Sequence, residues 1–247
     1  MLRENVVDGI HMVDDAYVNW FLVEEDRKLT VVDTGHPSSW KSLQRALSKL
    51  GRSAGDIEAV VLTHGHFDHM GFAKRAHEEL GVPVWAHELE TPVVAHPWRY
   101  HHERSRIPYF ARHAGFVRIF AAMGAAGALW VKGLDGVRTY AAGARLEVPG
   151  RPHVIFTPGH THGHCSLAFP ERGTVIAGDA IVTLNPYTAA EGPQIVAGAA
   201  TADSTRALAS LDALAATRAN TLLCGHGPPW TQGIALAVER ARTAGPS

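Results

Sequence analysis

A chain of 247 residues with a formal net charge of −1 mixes its acidic and basic side chains, so it offers no electrostatic case for binding nucleic acid or an anionic membrane. Its 46% hydrophobic content suits a soluble globular fold, and no stretch is apolar enough for long enough to span a bilayer. Two cysteines, Cys165 and Cys224, make no disulfide framework, and with no apolar leader after Arg3, Glu4 and Asp8 a cytoplasmic setting is expected.

Residues 17–23 and 29–33 predict paired strands joined by a charged turn at 24–28, the second ending in Asp33-Thr34-Gly35. Residues 38–50 place Trp40, Leu43, Ala46, Leu47 and Leu50 at helical spacing, stopped by Gly51. A strand at 59–62 leads into a histidine cluster, then a helix over 68–80 closed by Gly81 and a strand over 82–86. From 88 to 132 the pattern turns helical and carries Trp98, Tyr100, Tyr109, Phe110, Phe116, Phe120 and Trp130. This stretch predicts a helical insertion forming a lid within one domain over 1–247, its aromatics divided between core and pocket wall. Strands are expected at 145–148, 153–157, 166–169 and 174–177, then a helix over 203–216, a strand over 221–224 and a helix from 233 to 242.

The chemistry concentrates at strand ends. His64-Gly65-His66-Phe67-Asp68-His69 packs three imidazoles and a carboxylate into one turn, the donors that divalent metals take. A core has little use for such a cluster, since every buried ring nitrogen needs a partner. His160, His162 and His164 follow the strand at 153–157, Asp179 follows Gly178, and His226 follows Gly225. Glycine lets the backbone turn sharply there and leaves room for a side chain to enter a cleft. One metal needs three or four protein ligands; seven candidates suit two. His162 is expected at the rim or in a solvated loop, and His96, His101 and His102 at the surface or in packing. Both cysteines read as buried small residues.

The order Asp33-Thr34-Gly35, His64-x-His66-x-Asp68-His69, Gly159-His160, Gly178-Asp179 and Gly225-His226-Gly227 closely resembles the metallo-β-lactamase superfamily. The resemblance implies an α/β fold, an αββα four-layer sandwich with two divalent metal ions at one edge of its sheets. Carried over position by position, His64, His66 and His160 hold the first ion, Asp68, His69 and His226 the second, and Asp179 bridges. Zinc is the expected ion, with iron or manganese as alternatives. One departure stands out: His162 replaces the second proline of the family's Thr-Pro-Gly-His-Thr-Pro-Gly-His run.

The implied activity is a metal-dependent hydrolase whose metal-bridging hydroxide cleaves a carboxylic ester, lactone or thioester, a small-molecule substrate. Asp68 is expected to orient the nucleophile and shuttle its proton, and Asp33 and His164 to fix the tautomers of ligand histidines. Tyr187 is the nearest counterpart of the lactonases' catalytic tyrosine. The family's β-lactamases are exported and lack the bridging aspartate, which disfavours antibiotic hydrolysis here. Only 21 residues follow His226 (247 minus 226), too few for the C-terminal helical domain of the longer glutathione thioesterases, although short forms keep that reading open. A mononuclear non-haem iron persulfide dioxygenase is the alternative from another class. The oligomeric state stays open, a homodimer included.

Overall fold

Side-chain alternation along the strands dictates how many layers this chain must build. The structure, a computed structural model, describes residues 1–247. Its first sheet runs in the order β1 (Leu2–Val7), β2 (Ile10–Asp15), β3 (Val18–Glu25), β4 (Lys28–Val32), β5 (Ile57–Val61), β6 (Val84–His87), β7 (Arg138–Tyr140). Pairing is antiparallel from β1 to β4 and parallel from β4 to β7. In β3, Trp20 and Leu22 point to one face and Phe21 and Val23 to the other, and all four are buried. A strand buried on both faces needs a layer on each side.

One side is covered by helices α1 (Ser39–Lys49) and α2 (Ala73–Leu80), whose Trp40, Leu43, Leu47 and Ala76 pack against Trp20, Leu22, Val31 and Val60. The other side meets a second sheet. Its strands are β8 (His153–Phe156), β9 (Cys165–Phe169) and β10 (Thr174–Gly178), flanked beyond β10 by a later strand; a separate hairpin joins β11 (Val182–Leu184) to β12 (Glu191–Gln194). That later strand is β13 (Thr221–Cys224), parallel to β10, while β8, β9 and β10 pair antiparallel. Phe21, Val23, Val32 and Val61 of the first sheet pack there against Val154, Leu167, Ile176 and Leu223 of the second. The outer face of the second sheet is closed by α6 (Ser204–Ala216) and α7 (Ile234–Ala244) through Leu211, Leu214, Ala237 and Val238. Helix, sheet, sheet, helix: the four-layer order is the one expected.

The helical stretch 88–132 contains α3 (Thr91–Ala95), α4 (Ile107–Arg112) and α5 (Ala114–Ala125). Val94, Ile119 and Met123 join the helix-side core, whereas Phe116 and Tyr109 form a smaller cluster with Tyr187 and Val196. Its aromatics are not all core or pocket wall: Trp130 is 70% exposed and Phe110 54%.

Two local expectations need correction. The helix predicted from residue 68 begins only at Ala73. Gly71 donates its N–H to the Gly35 carbonyl at 2.8 Å and lies so close to the His36 backbone that a side chain would collide, so residues before Ala73 are held as a loop. The strand predicted at 145–148 is a single bridge between Arg145 and His153, because Pro149 and Gly150 turn the chain. The strands β1, β2, β7, β11 and β12 carry no apolar alternation strong enough to be read in advance.

Candidate metal centre

The ligand-bearing turns leave the sheets at one edge. His64 to His69 follow β5 of the first sheet, and His160, Asp179 and His226 follow β8, β10 and β13 of the second. The seven side chains predicted from sequence all converge, in groups whose donor atoms lie within 4.8 Å of one another: His64, His66 and His160; His64, His69 and Asp179; Asp68, His69 and His226. Asp179 is the hub. Its carboxylate lies 3.2 Å from His226 Nε2, 3.5 Å from His160 Nε2 and 3.6 Å from His69 Nε2.

Hydrogen bonds behind the rings settle their orientation. His69 Nδ1 meets Asp33 Oδ2 at 2.9 Å, and His226 Nδ1 donates to the Tyr17 carbonyl at 2.7 Å. Thr63 gives its hydroxyl proton to Asp33 Oδ2, so Thr63 Oγ1 can only accept at its other contact, from His64 Nδ1 at 3.0 Å. Likewise Thr201 donates to the Val196 carbonyl and faces His160 Nδ1 at 3.3 Å. Each of these four imidazoles therefore spends its Nδ1 proton outward, so the inward-facing Nε2 offers a lone pair whenever the ring is neutral. Asp33 meets the His69 ring from a left-handed backbone conformation (φ 57) that Asp tolerates. His164 departs from expectation. It bonds Thr157 Oγ1 through Nδ1 and accepts the backbone N–H of Asp179 at Nε2 (3.0 Å), so it positions the carboxylate strand end and touches no ligand ring nitrogen by hydrogen bond.

Burial and charge then set protonation. Burial holds His64 and His66 well below the ordinary imidazole range, helped by neighbouring rings, and holds His160 down to about 4 despite Asp179. His69 is the opposite case: burial works against its charge, but Asp179 and Asp33 outweigh it and raise it to about 9. His226 is raised for the same reason by Asp179 and Asp68. Burial alone would push Asp68 and Asp179 up; the charges and hydrogen bonds of His226 and His69 hold both low, so both are ionised.

Divalent metals fit this donor set on three counts. His64 Nε2, His69 Nε2 and Asp179 Oδ1 are buried without a hydrogen-bond partner, a costly arrangement unless something else binds there. His66 Nδ1 and His160 Nε2 lie 3.0 Å apart, a distance at which two lone pairs need a proton or a cation between them. Finally, Asp33, Asp68, Glu90 and Asp179 are all buried while no Lys or Arg is; two divalent ions would balance those four charges.

Elsewhere the structure scatters what the sequence singled out. His162, His96, His101 and His102 are exposed, and Cys165 and Cys224 are buried free thiols. In front of the donors a cavity of about 10 Å³ is lined by Phe67, Phe120, Met123, Tyr100 and Tyr187; such a space holds about one water. Tyr100 stacks on His66 with ring centroids 3.8 Å apart, and Trp98 stacks on Phe67 at 4.0 Å, so the insertion does wall the site. Thr63 and Glu90 are missed by sequence reasoning: a single Thr or Glu carries no spacing signal, and only burial distinguishes Glu90 from Glu88.

A four-layer sandwich with imidazoles and carboxylates converging at one edge defines a metal-dependent hydrolase. The chain belongs to the metallo-beta-lactamase superfamily, whose family model matches residues 13–226. It is 27% identical over 244 residues to the probable metallo-hydrolase YflN of Bacillus subtilis (strain 168), covering 90% of this chain and 85% of that one. It is 29% identical over 236 residues to hydroxyacylglutathione hydrolase of Xylella fastidiosa (strain M12), covering 94% of this chain and 67% of the relative. Among solved structures it resembles TTHA1623 in a di-iron-bound form, with 26% identity, a TM-score of 0.64, and coverage of 90% of this chain and 93% of that one. No helix is long and apolar enough to cross a membrane.

Proposed function

We propose that this enzyme holds two divalent metal ions, one on His64, His66 and His160 and one on Asp68, His69 and His226 with Asp179 shared, and hydrolyses a carboxylic ester, lactone or thioester. The observation that carries the reading is the place of Asp179, within 3.2–3.6 Å of ring nitrogens from both sets. A bound ion pair supplies a hydroxide nucleophile near neutral pH and a Lewis acid for the substrate carbonyl.

The chain's own residues do the rest. Asp68, ionised and 3.5 Å from His226 Nε2, is placed to accept the nucleophile's proton and pass it to the leaving group. Burial keeps the Tyr187 phenol well above its ordinary pKa, so it faces the cavity as a neutral O–H donor suited to a carbonyl or leaving-group oxygen. Phe67, Phe120, Met123, Pro186 and Val196 line the approach to the donors with apolar surface; the space between them, about 10 Å³, admits a water, so these side chains must part to seat a substrate's acyl or alcohol portion. The hydroxyacylglutathione hydrolase relative supports a thioester; the missing third of that relative's length bears on how a glutathione moiety would be held. The di-iron-bound neighbour keeps iron beside zinc and manganese as the resident metal.

Metal analysis of protein purified without added metal, followed by a turnover panel of lactones, aryl esters, glutathione thioesters, β-lactams and phosphodiesters, tests the reading. Two ions per chain with turnover of a carboxylic substrate are expected. One iron per chain with oxygen uptake on a persulfide would overturn the assignment in favour of a dioxygenase, and turnover of phosphodiesters alone would overturn the substrate class.

A further inference from the structure

Glu90 belongs to none of the ligand motifs, yet it is only 1% exposed and sits between two of them. Its Oε2 accepts the Gly65 N–H at 2.7 Å; its Oε1 accepts the Gly163 N–H at 2.8 Å and the Thr161 hydroxyl at 2.6 Å. Gly65 lies between His64 and His66, and Thr161 follows His160. One carboxylate thus ties together the two loops that carry all three members of the imidazole set.

Sterics add to the bonds. A Cβ on Gly65 would lie 2.9 Å from the Val94 nitrogen, and one on Gly163 would lie 2.8 Å from Glu90 Oε1 and 2.9 Å from Leu89 Cβ. Both loops are therefore pressed onto residues 89–94, where the helical insertion begins, and have glycine where they touch it. Two backbone N–H groups and a hydroxyl all give to Glu90 and favour its ionised form, working against burial, which pushes its pKa up. The remaining set is held by other groups, His69 by Asp33 and His226 by the Tyr17 carbonyl.

From this arrangement we infer that Glu90 is a positioning residue that fixes the geometry of the His64–His66–His160 site for its metal ion and leaves the Asp68–His69–His226 site alone. The inference rests on the two-ion reading. Glu90 touches neither ion nor substrate; it acts by holding the two ligand-bearing loops in register. Supporting groups behind metal ligands are typically worth about 10–100-fold in metal affinity.

The test is cobalt titration of the chelated protein, followed by calorimetry and by visible absorption, which reports ligand geometry independently of turnover. Wild type is expected to show two binding events. Glu90→Gln keeps the volume but sets an NH₂ group against an N–H donor; it should weaken one event by about 10–100-fold and alter its absorption bands, with the other within about twofold. Thr161→Val removes one of the three bonds and should give a smaller effect on the same event, which guards against failure of Glu90→Gln to fold. In a His226→Ala background the remaining event should keep its sensitivity to Glu90→Gln, and in a His64→Ala background that sensitivity should vanish. Equal weakening of both events, or of neither, overturns the role of Glu90. A wild-type protein that binds one ion refutes the two-ion reading instead, and Glu90→Gln must then still weaken that ion if His64→Ala abolishes it.

Discussion

Gly225→Ala probes the centre with a single methyl group. Gly225 links the end of β13 to His226, and a Cβ there would overlap Asp179 Oδ1 and lie 2.7 Å from His69 Cε1. Opening that gap to the 3.4 Å of ordinary contact moves the His69 ring by about 0.7 Å, and Asp179 must yield further. Metal–ligand distances hold within about 0.2 Å, so neither side chain can keep its place as a ligand. Overpacking of a tight interior costs about 1–3 kcal/mol, against a total stability of roughly 5–15 kcal/mol. The variant should therefore fold, melt about 2–12 °C lower in chelator at roughly 2–4 °C per kcal/mol, and retain one ion of two. Elemental analysis after dialysis and thermal melting with and without chelator measure both effects. Two retained ions with wild-type turnover would refute the packing argument.

A matched control comes from α5, where Gly124 faces open space: Gly124→Ala should stabilise the helix by about 0.5–1 kcal/mol and leave metal content unchanged, as read by urea denaturation. In the metal-free protein, Asp179 and Asp33 outweigh burial and raise His69 to about 9. A raised imidazole contributes its full stability below the unfolded value of about 6.5 and loses it as pH climbs through the folded value. Melting in chelator should accordingly fall between pH 6.5 and 9, and a flat profile would count against the His69 ion pairs. Tyr187→Phe should lower kcat by about 10²-fold or more on the preferred substrate with little change in KM, if its phenol serves the transition state; equal kcat in the two proteins would remove it from the mechanism.

The donor residues were legible in the sequence because each sits just past an apolar run that must be buried, and a cluster of imidazoles at such a place has few structural uses. Helices α1, α6 and α7 were legible for the same reason, their apolar spacing being regular. What escaped depends on three-dimensional neighbours. The loop before Ala73 satisfies helical spacing in isolation and is overridden by the Gly71–Gly35 contact. Residues 145–148 have strand-like composition, yet Pro149 and Gly150 end the ladder after one bridge. His164 sits in a ligand-rich run and bonds to backbone, whereas Glu90 sits outside every motif and ties two of them together.

The split origin of the donors gives the centre the character of a reversible cross-link. His66 and His160 meet across 94 residues of chain, and they come from different sheets. A covalent bridge closing a loop of that size would restrict the unfolded chain by an amount worth close to 4.7 kcal/mol in the chain-entropy account. An ion clip differs in one respect: it leaves when the chain unfolds. The stabilisation then follows the free metal concentration, about 2.7 kcal/mol at a hundred times the dissociation constant and about 4.1 at a thousand. A melting temperature for this enzyme is thus a statement about the buffer as much as about the fold.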